Sequence, residues 1–460
     1  MSLIKSISGI RGTIGGKVND NLTPLDVVKF ASAFGTWLQN NKNKKDLTLI
    51  IGRDARISGS MVNSLVTATL QGLGIHVVDL GLSTTPTVEI MVPELNADGG
   101  IILTASHNPK QWNALKLLNE KGEFINGENG AEVLALAENE DFNYAEVDDL
   151  GKYETRDDAF DIHIQQILDL PMVDFEAIKA KKYKIVLDAV NSTGGIAIPM
   201  LLEKLGCETV KLYCEPNGQF PHNPEPLKEH LGDICELVIK EKADFGVVVD
   251  PDVDRLALVD ENGEMFGEEY TLVAVADYLL KNKNGVAISN LSSSRALRDV
   301  AKAHNSEYFA SAVGEVNVVN LMKEKNAVIG GEGNGGIIYP ELHYGRDSLV
   351  GVALFLTHLA KENKTVSELR AGYPSYFMGK KKIELTPEIN VDELLTKMEK
   401  EYQNEEVSTV DGVKIDFENN WVHLRKSNTE PIIRIYTEAF SQEEADKLGD
   451  DMIEKIRSLI

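Results

Sequence analysis

The sequence predicts an α/β fold of several domains that ends in a smaller α+β domain. Between residues 20 and 370, short apolar runs alternate with helical patterns in three similar blocks of about 110 residues, an order typical of parallel or mixed sheets flanked by helices. The remaining residues form a different pattern, with short strands and two helices. A chain of 460 residues is long enough for several domains, each with its own core.

The first block begins with a clearly delimited helix. Thr23 is a typical N-cap, Pro24 suits the first helical position, and the apolar residues of TPLDVVKFASAFGTWLQ recur at helical spacing. The elements predicted to follow it are a strand at LTLIIGRD (47–54), a helix over 58–73, and strands at HVVDLG (76–81) and GGIILTAS (99–106).

The second and third blocks repeat this order, and the C-terminal block is a small sheet with helices on one side. The second block is predicted from YKIVLDAV (183–190), a helix near 195–205, ETVKLY and DFGVVVD. The third is predicted from a helix over 267–281, GVAISN, the helix SRALRDVAKAH, EYFASAV and AVIGGEGNGG. The last is predicted from KKIEL, a helix over 391–404, VKIDF, WVHLRK, IIRIYTEA and a helix over 441–459.

The charge balance limits the range of functions. Acidic residues number 72 against 47 basic ones, which gives a net charge of −25. General nucleic-acid binders and anionic-membrane binders need a positive surface, so both classes are excluded. A local basic pocket for a small anion is compatible with this balance. Much of the acidic excess lies in residues 128–161, where we expect a solvated surface.

The sequence carries no sign of export. The three cysteines, Cys207, Cys214 and Cys235, form neither a disulfide framework nor a zinc motif. The first residues lack the apolar stretch of a signal peptide, and no run approaches the ~20 apolar residues of a membrane span. We therefore expect a cytoplasmic protein with no membrane partner.

The first loop with chemical potential is TASHNPKQWNALK (104–116), which follows an apolar strand. Open α/β sheets bind ligands at the carboxyl ends of strands, so Ser106 is placed where substrates bind. Adjacent residues on an extended strand point to opposite faces, so a hydrolase pair of Ser106 and His107 needs a special turn. We favour a serine that carries a phosphoryl group, with Lys116 reaching back as a cation or a proton carrier. A capping serine is the competing interpretation.

Three alternating carboxylates follow another buried strand, in DPDVDRLALVD (250–260). Asp250, Asp252 and Asp254 suit one hard cation such as Mg²⁺ that also holds a phosphate. We exclude an EF-hand loop because Arg255 stands at the sixth position, which needs Gly, and because LALV continues as a strand. A solvated acidic turn is the alternative.

Two further loops offer hydrogen-bonding groups. The glycines of GGEGNGG (330–336) allow a ligand to approach the backbone, and Glu332 and Asn334 are candidates to bind sugar hydroxyls, although a plain turn fits equally. RKSNTEPIIR (425–434) combines the hydroxyls, guanidinium groups and turn amides that a terminal phosphate needs. Its candidate residues are Arg425, Ser427, Asn428, Thr429 and Arg434.

Together the four loops supply a phosphoryl carrier, a metal site, a hydroxyl-binding loop and a phosphate-binding loop. This is the set needed to move a phosphoryl group on a sugar phosphate. The motifs T-A-S-H-N-P, D-x-D-x-D-R and R-x-S-x-T-E-P-x-x-R, in this order over essentially the whole chain, resemble those of the α-D-phosphohexomutase superfamily. The superfamily includes phosphoglucomutases, phosphomannomutases and phosphoglucosamine mutases. The resemblance implies three similar α/β domains and a C-terminal α+β domain around a central cleft.

The resemblance also implies domain bounds and residue roles. The domains would be 1–152 with the phosphoserine loop, 153–258 with the metal loop, 259–373 with the sugar-recognition loop and 374–460 with the phosphate-binding loop. The implied catalytic residues are Arg11, Ser106, His107 and Lys116. The implied Mg²⁺ ligands are phosphorylated Ser106, Asp250, Asp252 and Asp254. The implied substrate-binding residues are Arg255, Glu315, Glu332, Asn334, Arg425, Ser427, Asn428, Thr429 and Arg434.

The implied activity moves a phosphoryl group between the 6 and 1 positions of a hexose phosphate. It would use a phosphoserine enzyme, Mg²⁺ and a hexose 1,6-bisphosphate as intermediate and activator. Many members read G-E-x-S-G in the sugar loop, and the amide of Asn334 in place of that hydroxyl resembles archaeal-type phosphoglucosamine mutases. Glu315 in VGEVN is a candidate contact for an ammonium group, and a carboxylate at a helix N-terminus is an equal interpretation.

We therefore expect a monomer or homodimer that converts glucosamine 6-phosphate to glucosamine 1-phosphate. A phosphoglucomutase/phosphomannomutase acting on glucose or mannose phosphates is the alternative within the superfamily. A non-catalytic sugar-phosphate sensor and a metal-dependent phosphatase are alternatives of other classes. A pure binder has no need of a phosphoryl acceptor such as Ser106, and a phosphatase would release inorganic phosphate stoichiometrically.

Overall fold

The computed structural model describes residues 2–6, 9–42, 44–385, 389–426 and 432–459. It confirms the α/β class with an α+β sheet at the C-terminal end. The chain forms two compact units: unit 1 comprises residues 1–271 and 334–369, and unit 2 comprises residues 272–333 and 370–460. Both units contain more than one part of the predicted domain series, so the four domain bounds stay predictions. None of the helices in the described residues is long and apolar enough to cross a membrane.

Unit 1 begins with a seven-stranded mixed sheet and its helices. In chain order the elements are β1 (Ile4–Ser6), β2 (Gly9–Thr13), α1 (Pro24–Asn41), β3 (Thr48–Arg53), α2 (Gly59–Gly72), β4 (His76–Leu82), α3 (Thr85–Glu94), β5 (Gly99–Leu103), β6 (Trp112–Leu118), α4 (Gly127–Asn139) and β7 (Tyr153–Thr155). The strand order is β1-β2-β6-β5-β3-β4-β7. Helix α1 begins as predicted, because Thr23 and Asp26 form a reciprocal capping box and Pro24 is its first residue.

Strand β5, which leads into the serine loop, lies at the centre of this sheet. It pairs in parallel with β3 and antiparallel with β6. Its neighbouring residues Ile101 and Ile102 enter two different cores, one on each face of the sheet. Strand β6 is absent from the elements predicted from the sequence, because it is largely buried and lacks the alternation of a half-exposed strand.

The second sheet of unit 1 carries the three aspartates at its edge. Its elements are α5 (Ala159–Leu168), α6 (Phe175–Lys181), β8 (Lys184–Asp188), α7 (Gly194–Lys204), β9 (Glu208–Leu212), α8 (Gly232–Glu241), β10 (Phe245–Val249) and β11 (Leu256–Val259). The order is β11-β10-β8-β9, and only β11 is antiparallel to its neighbour. β10 is buried throughout, as its apolar run predicts, and it ends directly before Asp250.

Elements from later in the chain alternate between the two units. Helix α9 (Glu268–Asn282) includes residues of both. Unit 2 continues with β12 (Val286–Asn290), α10 (Ala296–Ala303), β13 (Glu307–Ser311), α11 (Glu315–Lys325) and β14 (Ile329–Glu332), with β12 between its parallel neighbours β13 and β14. Unit 1 then gains β15 (Gly336–Ile338) and α12 (Ser348–Glu362), whose Phe355 ring packs against Phe245 and Phe266.

The C-terminal part of unit 2 is a five-stranded antiparallel sheet covered by two helices. After α13 (Val366–Ala371), the elements are β16 (Phe377–Glu384), α14 (Val391–Glu401), β17 (Glu406–Ser408), β18 (Val413–Asp416), β19 (Trp421–Lys426), β20 (Ile432–Ala439) and α15 (Gln442–Leu459). The strand order is β16-β20-β19-β18-β17. Apolar residues of α14 and α15, among them Met398 and Ile456, close a core against the sheet. This confirms the predicted α+β arrangement.

Candidate active site

The serine loop turns sharply where it leaves β5. Ser106 has a φ angle of +46°, in the left-handed region that non-glycine residues rarely adopt. The turn brings Ser106 Oγ within 3.4 Å of His107 Nδ1, so the special turn that a contact between these two neighbours needs is present, and the strand predicted over 99–106 ends at Leu103. Ser106 Oγ donates a shorter hydrogen bond, of 2.7 Å, to Asp250 Oδ2. The serine hydroxyl is therefore aimed at the acidic loop.

The three aspartates form one buried group. An oxygen of each lies within 4.8 Å of an oxygen of the other two, and all three residues are buried. Asp250 Oδ1 accepts the backbone N–H groups of Asp254 and Arg255, both at 3.1 Å, so the loop curls around this carboxylate. Val253 adopts a φ of +64° within the curl, a conformation that costs a β-branched residue free energy. The loop geometry thus holds the carboxylates together against their repulsion.

This carboxylate group fits a hard divalent cation. Among the described residues, neither Asp252 Oδ1 nor Asp254 Oδ1 accepts a hydrogen bond, and both atoms are buried. Buried acceptors without a partner are costly, and oxygen-only ligands are those that Mg²⁺ prefers. Burial, followed by the neighbouring carboxylates of Asp254 and Asp252, raises the pKa of Asp250 well above its usual range. A bound cation would give the unpaired carboxylate oxygens a partner and would reduce the repulsion between the three carboxylates.

Lys116 lies against the same carboxylates. Its Nζ donates to Asp252 Oδ2 at 2.7 Å and lies 3.4 Å from Asp254 Oδ2. Lys116 stands on β6 opposite Ile102 of β5, which places it one strand away from the serine loop. Burial alone would lower the pKa of Lys116, but the carboxylates of Asp252 and Asp254 outweigh it and raise the pKa above its ordinary value. The side chain is therefore a fixed cation here.

Several guanidinium groups surround His107. Burial, followed by the positive charges of Arg255 and Arg346, lowers the pKa of His107 to about 2, and Arg11 acts in the same direction. Arg11 lies on β2, and Arg255 Nη1 is 3.5 Å from Glu225 Oε1. Although this chain is strongly acidic, three arginines act on His107, beside Ser106, and such positive groups suit an anionic ligand.

Arg346 is a residue of this site that the sequence analysis missed. Its Nη2 donates to Asp254 Oδ2 at 2.7 Å, and the two side chains are 10% and 0% exposed. The analysis also missed Thr85, at the start of α3, whose Oγ1 donates to Asp252 Oδ2 at 2.6 Å. Arg346 is 92 positions from Asp254 along the chain, and only the fold brings the two together. No local motif in the sequence marks either residue.

The sugar-recognition candidates are distributed over both units. In unit 2, Glu332 Oε1 accepts the backbone N–H of Gly314 at 3.2 Å and the amide of Asn290 at 3.0 Å. Glu315 is buried and is the first residue of α11, a position that also suits a carboxylate near the positive end of a helix. Asn334 belongs to unit 1, where its Oδ1 accepts the N–H of Gly336 at 3.2 Å. That amide oxygen closes a local turn.

Two arginines flank, along the chain, the predicted phosphate-binding loop in unit 2. Arg425 on β19 and Arg434 on β20 are paired across the two strands. Arg425 Nε lies 2.8 Å from Asp411 Oδ2, and Arg434 is exposed. The predicted phosphate contacts Ser427, Asn428 and Thr429 lie outside the described residues. The sheet register therefore places two cations side by side at the base of this loop.

Comparison with protein families accounts for nearly the whole chain. Four consecutive models match, described as phosphoglucomutase/phosphomannomutase alpha/beta/alpha domain I (residues 4–144), domain II (161–263), domain III (267–376) and C-terminal domain (383–455). Their order is the order predicted from the four loops. The three α/β regions and the distinct C-terminal domain are thus matched independently of one another.

Curated relatives and solved structures agree with this match. A phosphoglucomutase/phosphomannomutase of Thermococcus kodakarensis is 37% identical, over 96% of this chain and 98% of the relative. A phosphoglucosamine/phosphogalactosamine mutase of Sulfurisphaera tokodaii is 34% identical, over 98% of both chains. The crystal structure of a phosphoglucomutase/phosphomannomutase family protein from Burkholderia thailandensis superimposes with a TM-score of 0.84 at 25% identity, covering 99% of this chain and 98% of that one. The chain therefore belongs to the phosphoglucomutase/phosphomannomutase family of the α-D-phosphohexomutase superfamily, whose members are isomerases that act as intramolecular phosphotransferases.

Proposed function

We propose that the chain interconverts glucosamine 6-phosphate and glucosamine 1-phosphate through a phosphorylated Ser106. The observation that carries this proposal is the 2.7 Å hydrogen bond from Ser106 Oγ to Asp250 Oδ2, at the edge of a buried cluster of three carboxylates. A serine aimed at a cation site is suited to hold a phosphoryl group next to a divalent cation. A capping serine would instead bond to a backbone N–H.

Each residue of the site is assigned a role in the phosphoryl transfer. Asp250, Asp252 and Asp254, with the phosphate on Ser106, would hold Mg²⁺, which supplies neutralisation of the phosphoryl charge. In the forward half-reaction the bond from phosphorus to Ser106 Oγ breaks, a bond to the sugar hydroxyl oxygen forms, and the hydroxyl proton leaves to a group of the site. Lys116 compensates charge at the transferring oxygens. Arg11 and His107 are proposed to assist the proton and phosphoryl transfers.

The first transfer gives a hexose 1,6-bisphosphate. This intermediate reverses its orientation in the site before Ser106 takes back the other phosphate. The non-transferred phosphate must therefore be held at either end of the sugar in turn. We assign this to the phosphate-binding loop, with Arg425, Ser427, Asn428, Thr429 and Arg434. Sugar hydroxyls and the amino group are assigned to Arg255, Glu315, Glu332 and Asn334.

The choice of sugar is supported by one residue and one relative. Glu315 is a buried carboxylate, which suits the ammonium group of an amino sugar. The Sulfurisphaera tokodaii relative is named as acting on phosphorylated amino sugars. The Thermococcus kodakarensis relative is named for glucose and mannose phosphates, and it favours that activity as the second candidate. A cytoplasmic location and a monomer or homodimer stay predictions.

A coupled assay of glucosamine, glucose and mannose phosphates tests the proposal. We expect the highest kcat/KM on the glucosamine phosphate, and we expect Glu315→Gln to lower kcat/KM on it by about tenfold while changing the value for glucose little, because only the amino sugar carries a cation. A higher kcat/KM on glucose or mannose 1-phosphate would overturn the choice of sugar. Release of one phosphate per turnover would indicate a phosphatase.

A further inference from the structure

Arg56 lies directly behind the serine loop and is 1% exposed. It follows β3 and takes no part in the predicted set of site residues. A guanidinium group has five N–H donors, and each of the five has an acceptor here. Nε donates to Asp54 Oδ2 at 2.9 Å, Nη1 to the carbonyls of Pro109 (2.8 Å) and Trp112 (3.0 Å), and Nη2 to the carbonyls of Asn108 (2.7 Å) and Ser106.

Four of these five acceptors are backbone carbonyls of the serine loop. Ser106, Asn108 and Pro109 lie between β5 and β6, and Trp112 is the first residue of β6. One planar guanidinium donates to all four carbonyls, of which that of Ser106 belongs to a buried residue and that of Pro109 also accepts the N–H of Trp112 at 3.0 Å. The ring of Phe220 covers the guanidinium, 5.2 Å from its carbon. The arrangement fixes the whole loop to one rigid group.

Asp54 extends this support to the other side of Ser106. Its Oδ2 accepts the hydroxyl of Thr104 at 2.6 Å as well as Arg56 Nε, and Asp54 and Arg56 are both fully buried. Thr104 Oγ1 in turn accepts the backbone N–H of Ser106 at 2.9 Å. Both backbone polar groups of Ser106 are thereby held, its carbonyl by Arg56 and its N–H by Thr104. These bonds secure the strained left-handed turn from which Oγ reaches Asp250.

We propose that Arg56, supported by Asp54 and Thr104, is a positioning residue that fixes the turn at Ser106 and so aims its hydroxyl at the metal loop. Arg56 bonds to the backbone of Ser106, and it acts on the reaction only through that serine. The kinetic part of the proposal rests on the phosphoserine mutase activity proposed above. The structural part, the order of the serine loop, does not.

The kinetic test compares Arg56→Lys with the wild-type enzyme in the coupled assay. A lysine ammonium cannot reproduce the planar set of five bonds, so Ser106 should lose its orientation. We expect kcat to fall by about 100-fold, since a misplacement of about 1 Å at a reacting group costs that much. KM for the hexose phosphate should stay within about twofold, because the substrate-binding residues are unchanged. The matched control is Arg156→Lys, at a partly exposed arginine paired with Asp158, and it should behave like the wild type.

The structural test measures hydrogen exchange of the backbone amides over residues 104–112 in the same variants and in Thr104→Val. The valine keeps the volume of Thr104 and removes the acceptor for the Ser106 N–H. We expect faster exchange in this segment for both variants, with the rest of the chain unchanged. If Arg56→Lys does not fold, the kinetic and the exchange measurements are both made on Thr104→Val. This variant should show the same fall in kcat.

The outcomes separate this proposal from the proposed function. A wild-type enzyme that is inactive on every hexose phosphate refutes the proposed function and leaves the exchange experiment to decide on Arg56. An active wild type with unchanged kcat in the variants, or with an effect confined to KM, overturns the positioning role. Unchanged exchange over residues 104–112 in Thr104→Val and in folded Arg56→Lys overturns it as well.

Discussion

Arg346 and Lys116 are the cations that contact Asp254 Oδ2 in the part of the chain that the structure describes, and replacing Arg346 with methionine removes the closer one. Arg346 Nη2 lies 2.7 Å from this oxygen and Lys116 Nζ lies 3.4 Å from it. Removal of one partner of a buried ion pair costs about 3–5 kcal/mol, because the remaining charge is left uncompensated. Lys116 still compensates part of that charge. We therefore expect the free energy of unfolding to fall by an amount near the lower end of this range, about 3 kcal/mol, when divalent cations are absent. Mg²⁺ supplies charge to the same carboxylates, so the loss should shrink when Mg²⁺ is present.

Urea unfolding followed by circular dichroism measures this loss, with EDTA in one series and Mg²⁺ in the other. The matched control is Arg156→Met, which breaks an ion pair whose side chains are 28% and 45% exposed. Such exposed pairs contribute less than about 1 kcal/mol. If Arg346→Met loses no more stability in EDTA than the control does, the pair of Arg346 and Asp254 does not stabilise the fold as expected. An equal loss with and without Mg²⁺ would refute the link to the metal site.

Lys116→Met should lower kcat by about 100-fold or more, with a much smaller change in KM, because it removes a preorganised cation from the transferring oxygens; steady-state kinetics that show an unchanged kcat would contradict this. Chelation with EDTA should abolish mutase activity, and added Mg²⁺ should restore it. Asp252→Asn should raise the Mg²⁺ concentration that gives half of the full rate. Full activity in EDTA would count against the metal site. Burial, with the nearby cations of Lys414 and Arg425, lowers the pKa of His423 to about 4 from 6.5. His423 therefore binds a proton more readily in the unfolded chain than in the folded one. The stability that it contributes above pH 6.5 is lost as the pH falls toward 4, and the loss is about 2 kcal/mol at about pH 5. In urea unfolding at a series of pH values, His423→Gln should remove this part of the pH dependence of the free energy of unfolding.

The parts of the fold predicted from the sequence are those set by local patterns. Helix α1 has its cap, its proline and its apolar spacing within one short segment, and β10 is a continuous apolar run next to the aspartates it positions. Strand β6 was missed because it is largely buried and shows no period-two alternation. Because β6 was not predicted, the antiparallel pairing that places Lys116 beside β5 could not be predicted either.

The same distinction applies to the site. Ser106 and the three aspartates each stand in a compact motif at the end of an apolar strand, which is a signal that one sequence contains. Arg56 and Arg346 lie about 50 and 92 positions from the groups they contact, in segments that resemble ordinary helix starts. The left-handed turn at Ser106 was also unpredictable locally, because its stability comes from Arg56 and Thr104 and not from the residue itself.

Intact mass spectrometry can show whether Ser106 carries the phosphoryl group. Wild-type protein and Ser106→Ala are each measured before and after incubation with a hexose 1,6-bisphosphate and Mg²⁺. We predict that the wild type carries or gains the mass of one phosphoryl group and that Ser106→Ala never does. A phosphoryl adduct that survives the substitution, or a wild type that stays unmodified while it turns over substrate, would contradict the account.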